Sequence, residues 1–116
     1  MIETLLTEID NAISAEYHRA NKEHPAFASD HEGHDVFCEE VTEALAEMER
    51  VKSTVGPMAD AIRRNDSDEV LTISHAAYEA ARHLAAEAVQ VAAMASKITR
   101  SQELRRKSKW QLPHLD

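Results

Sequence analysis

From Phe37 onward the apolar residues fall at Phe37, Val41, Ala44, Leu45, Met48, Val51 and Val55, the i, i+4, i+7, i+8, i+11 stripe of an amphipathic helix. The same spacing returns in Ile2, Leu5, Leu6, Ile9, Ile13, Tyr17 and Ala20, and again around Leu84, Ala88, Val91, Ala95 and Ile98. Only two glycines, three prolines and five aromatic side chains occur in a chain of 116 residues rich in alanine. That combination predicts one all-α domain, a bundle of four to five helices. Few aromatics also mean a thin core, and the run Ala76, Ala77, Ala80, Ala81, Ala85, Ala88, Ala92 lets helices approach closely. The core is therefore expected to be completed by association, as a homodimer or a homotetramer.

The first helix should end before Pro25, because the residue preceding a proline is driven out of the helical region. His24 to Gly33 reads as a connector, with Ser29 or Asp30 capping a second helix that Gly56-Pro57 should end. A short helix is expected from Met58 to Arg64. Asn65-Asp66-Ser67-Asp68 reads as a turn and cap, followed by a long helix from about Glu69 to Ile98 with a break near Ser74-His75. Residues 1–99 thus make the helical domain and 100–116 a basic tail. That tail carries Arg100, Arg105, Arg106, Lys107, Lys109 and the one tryptophan, Trp110. It has three readings: neutralising substrate phosphates, packing on the acidic surface of a neighbouring subunit, or staying mobile.

The second stripe carries a problem. Glu39-Glu40-Val41-Thr42-Glu43 sets three carboxylates within five residues, and like charges so close repel. At about 100° per residue Glu40 lies about 60°, and Glu43 about 120°, to one side of Phe37, while Glu39 points to the opposite face. Some forty residues on, Glu87 and Gln90 lie about 60° and 120° round from Leu84, on the same side by the same count. Packed antiparallel, the two helices would turn Glu40, Glu43, Glu87 and Gln90 toward a common point. Three carboxylates and an amide carbonyl make an all-oxygen set, which suits magnesium or manganese and not zinc. The plainer reading is a solvated acidic helix edge.

These residues resemble a known family, the all-alpha nucleoside triphosphate pyrophosphohydrolases related to MazG. The family signature is E-E-x-x-E on one helix and E-x-x-D on a later one. Here the first half is complete as Glu39-Glu40-Val41-Thr42-Glu43, and the second reads Glu87-Ala88-Val89-Gln90, with Gln in place of Asp. The flanking words HPAFASDHEGHDVFCEE and EAVQVAAMA look like the small single-domain members carried by phages and prophages, and the resemblance spans roughly residues 15 to 100. It implies a bundle of the all-alpha pyrophosphatase type. It also implies metal between the two acidic helices and cleavage of a (deoxy)nucleoside triphosphate to monophosphate and pyrophosphate. Motif membership further gives Glu39 a catalytic role behind the ligands, although the helical count turns it outward. The Gln90 departure lowers the formal charge of the set. It leaves a degenerate module that binds nucleotide or a protein partner as an alternative, with a phage structural protein as a third reading.

Other polar residues take places relative to that flank. Glu47, one turn past Glu43, reads as a ligand, a water-orienting base or the partner of Arg50 at i, i+3. Lys97 returns to nearly the side of Gln90 and suits a substrate phosphate, or a cation near a helix C-terminus. His83 lies one turn before Glu87, where it would meet phosphate or make an ordinary surface contact. His31-Glu32-Gly33-His34 is one residue short of a zinc-protease motif, so His34 reads as a loop residue or as the border of a nucleotide pocket. The net charge of −8 disfavours a nucleic-acid duplex as partner. A single cysteine, Cys38, an opening without a basic start and apolar run, and apolar runs broken by charge predict a cytoplasmic chain off the membrane.

Overall fold

The computed structural model describes residues 1–22 and 26–111, with side chains described through Ser108. Pro25 and the start of the connector at His24, like the side chains of Lys109 and Trp110, lie outside the described residues. Four α-helices and no strand occur among the described residues: α1 (Ile2–Ala20), α2 (Asp30–Lys52), α3 (Val55–Arg63) and α4 (Ser67–Gln111). The all-α expectation holds. The chain divides into two compact units, one made of Met1–Glu39 with the chain from Val89 onward, the other of Glu40–Ala88.

In the first unit α1 carries Glu3 in its first turn and Arg19 in its last, charges that complement the helix dipole. Its Ile9, Ile13, Tyr17 and Ala20 are half-buried, whereas Ile2, Leu5 and Leu6 stay exposed. The core is Phe27, Ala93 and Met94, against which Tyr17, Ala20, Val36, Phe37 and Ile98 pack. Ser29 caps α2, its Oγ accepting the Glu32 N–H at 3.1 Å, one of the two caps the sequence offered. Gly33 is buried in the first turns of α2 and belongs to the helix, not the connector. A Cβ there would come within 3.0 Å of the Phe27 ring and 3.2 Å of Ile98, so the close approach of Phe27 to α2 needs a residue without one.

The segment after Arg100 does not leave the domain as a tail; it continues α4 through Gln111. Side chains tie it to the stretch before α2. Ser101 Oγ accepts the Phe27 N–H at 2.9 Å and donates to the Lys97 carbonyl at 2.8 Å. Arg105 pairs with Asp30 and donates to the Phe27 carbonyl at 3.1 Å. Gln102 also donates to Asp30.

The second unit departs from expectation at two helix boundaries. Gly56-Pro57 does not end α2. The helix stops at Lys52, where Ser53 Oγ donates to the Arg50 carbonyl and Thr54 Oγ1 to the Val51 carbonyl, both at 2.7 Å. Side-chain hydroxyls that take up terminal carbonyls compete with further helical turns. Pro57 then falls in the first turn of α3, where a missing N–H costs nothing because no carbonyl waits for it. Asn65 adopts φ 55°, a left-handed conformation asparagine tolerates, and Asp66 caps α4 by accepting the Glu69 N–H at 3.1 Å. The expected break at Ser74-His75 is absent, since Ser74 Oγ bonds back to the Leu71 carbonyl at 2.9 Å within a continuous helix.

Candidate metal centre

Glu40 and Glu43 stand one turn apart on α2, and Glu87 faces them from α4, all three within the Glu40–Ala88 unit. Their carboxylate oxygens lie within 4.8 Å of one another. At that spacing two unit charges repel by about 1 kcal/mol even at the dielectric constant of water. Glu40 and Glu87 are half-buried and Glu43 is exposed, so the cluster opens to solvent on one side. The Glu87 carboxyl is pushed up from the usual range, first by burial, then by the Glu43 charge and a hydrogen bond with Glu43, then by the Glu47 charge; His83 opposes this. A group whose proton is held this way is one a cation would relieve, and hard oxygen donors fit magnesium or manganese. Among the described residues this is the one group of three or more histidine, cysteine or acidic side chains with metal-ligand spacing.

The remaining predicted residues take different places. Glu47 receives Arg50 Nη1 at 2.8 Å, the i, i+3 pair anticipated, while its charge still acts on Glu87. His83 is exposed and close enough for its charge to act on both Glu87 and Glu79. Glu39 is exposed, as the helical count requires, and belongs to the other unit. His34 is exposed too, with its Nε2 3.6 Å from Cys38 Sγ.

Lys97 is only 7% exposed, and its Nζ sits 4.6 Å from the centre of the Phe27 ring. There it makes a cation–π contact worth about 0.5 to 2 kcal/mol. Gln90 belongs to the first unit, where its amide donates to the Glu16 carboxylate. Glu16 also holds Arg19, and this pair is the main reason its carboxyl sits below the usual range. Sequence reasoning missed Glu16. The available signal was its place beside Ile13, Tyr17 and Ala20 on the buried side of α1, where an acid needs partners.

No protein-family model, curated protein or solved structure matches this chain.

Proposed function

We propose that this chain is a magnesium-dependent nucleoside triphosphate pyrophosphohydrolase of the all-alpha, MazG-related type, releasing monophosphate and pyrophosphate. The observation that carries the reading is the convergence of Glu40, Glu43 and Glu87 from two helices. Carboxylates at that distance repel one another, and a site for a cation gives them a use. Glu40, Glu43 and Glu87 would hold the ion, with manganese able to replace magnesium. When bound, magnesium supplies charge neutralisation on the leaving pyrophosphate and an oriented water.

The protein side of the reaction falls to residues around that set. Glu47, paired with Arg50, adds negative charge beside Glu87 and is the group that would accept a proton from water. His83 offers the triphosphate a donor from an exposed turn of α4. A nucleotide substrate and a reduced thiol suit the cytoplasm.

A second reading has one observation in its favour. Gln90 stands where the motif it resembles has Asp and is engaged with Glu16, as fits a degenerate module that binds nucleotide without turning it over. Incubating pure protein with a panel of deoxynucleoside triphosphates and magnesium, and assaying pyrophosphate and monophosphate, separates the two. We expect turnover that falls by about 100-fold or more in Glu40→Gln and Glu43→Gln, with helical circular dichroism unchanged. Binding without turnover supports the module, and full activity in either variant removes the carboxylates from the mechanism. Neither binding nor turnover leaves a structural protein.

A further inference from the structure

We propose that His34 and Cys38 form a clip on α2 for a zinc ion, a second cation site whose donors differ in kind from the three carboxylates. Residues four apart on a helix are neighbours on its surface, with Cβ atoms about 5 to 6 Å apart. Here the two side chains close that gap, and Cys38 Sγ lies 3.6 Å from His34 Nε2 and 3.8 Å from Nδ1. A tetrahedral zinc ion bonded at about 2.3 Å to sulfur and about 2.1 Å to nitrogen holds those two atoms about 3.6 Å apart. The pair already stands at the separation a shared ion requires.

The local structure supplies a fixed backbone and an open side. Both residues lie in continuous helix and both are exposed, so an ion reaches them without opening the core. Because χ2 of histidine is a broad torsion, a small turn of the exposed ring aims a nitrogen at an ion beside the sulfur. By the helical count His31 and Asp35 lie about 20° and 60° to one side of Cys38, and His34 about 40° to the other. His31 and Asp35 are exposed as well. They furnish a third donor on the same face, and water completes the four positions. His34, set one residue too close to His31 for a zinc-protease motif, thus finds its i+4 partner in Cys38.

The donor types choose the ion. Thiolate sulfur and imidazole nitrogen select zinc and its borderline neighbours, whereas magnesium takes oxygen. His34 and Cys38 belong to the unit that begins at Met1, and Glu40, Glu43 and Glu87 to the other. The two donor sets therefore sort cations by hardness. Binding replaces the S–H bond of Cys38 with a metal–sulfur bond and releases the proton to water. Without an ion, the use of the pair is an S–H···N hydrogen bond alone.

The test uses the full reduced chain with cobalt(II) as a spectroscopic stand-in for zinc. We expect a thiolate-to-cobalt charge-transfer band that saturates at one ion per chain, is displaced by zinc and is untouched by millimolar magnesium. Cys38→Ser should abolish the band. His34→Ala should raise the cobalt Kd at least about 10-fold, the loss that even a residue supporting a metal ligand causes. Glu43→Gln should leave the band in place and its Kd within about 2-fold, since that oxygen belongs to the other donor set. Absence of the band in the parent overturns the proposal and leaves the hydrogen bond as the use of the pair. An equal Kd in His34→Ala would mark adventitious capture by a single thiol, and saturation at half an ion per chain a bridge between thiols of two chains; either overturns it as well, as does loss of the band in Glu43→Gln. None of these readouts depends on whether the chain hydrolyses nucleotides.

Discussion

Position 90 carries the one departure from the acidic pattern, and its neighbour gives the carboxamide a use. The Gln90 amide donates to a Glu16 carboxylate that Arg19 already holds. An aspartate there would face that carboxylate without a proton to offer. We therefore expect Gln90→Asp to destabilise the metal-free protein by about 1 to 2 kcal/mol at neutral pH, with Glu16→Gln restoring most of the loss in the double variant. Denaturant midpoints measure both. Because three carboxylates already converge within the other unit, calorimetry should give the variant a magnesium Kd within about 2-fold of the parent, far short of the change a gained charged ligand brings. A clear tightening would instead put residue 90 among the ligands. The helical count sets Gln90 on one flank of its own helix, yet it has no means of showing which part of α1 lies beside it. Contacts between distant elements are not written in a periodicity.

Elements were legible where local chemistry decides them. Ser29 and Asp66 cap the helices they precede, and the helical content follows from stripes and scarce glycine. Boundaries set by competition were harder. Hydroxyls at Ser53 and Thr54 end α2 before Gly56-Pro57 can, and the clasp of Asp30 by Gln102 and Arg105 holds helix where a basic tail was expected. Gly33 is the residue on which this end of the first unit turns. It lies inside α2, where alanine would ordinarily be favoured by about 1 kcal/mol. The added methyl would instead press on the Phe27 ring at 3.0 Å and on Ile98 at 3.2 Å, and Phe27 holds the cation of Lys97. We expect Gly33→Ala to lower the unfolding free energy by about 1 to 3 kcal/mol and to quicken hydrogen exchange at the Phe27 amide, which Ser101 now protects. Unchanged or increased stability would mean that Phe27 shifts freely.

For the molecule as a whole, the carboxylates set opposing slopes of stability against pH. Glu16 and Glu79 are held by Arg19 and Arg82 below the usual range, so their contributions are present above it and lost as pH falls through their lowered values. Glu87 has the opposite sign. Its raised value, caused first by burial and then by Glu43, means that the folded chain holds this proton more tightly than the unfolded one. Its contribution favours folding below the ordinary carboxylate range and is lost as pH rises through the raised value. Above that raised value the metal-free protein therefore bears the repulsion between Glu87 and Glu43, and Glu87→Gln should lessen the decline in its stability with rising pH. Bound magnesium should act on the same deficit in the parent, stabilising by RT ln(1 + [L]/Kd), about 2.7 kcal/mol at 100 times Kd. That gain should shrink below the ordinary carboxylate range, where protons compete for the oxygens, and should be largely absent in Glu87→Gln. Thermal unfolding of both proteins from pH 4 to 8, with and without magnesium, measures each part. An equal magnesium shift in parent and variant would show the ion bound elsewhere, and the convergence of Glu40, Glu43 and Glu87 would then be a strained acidic surface.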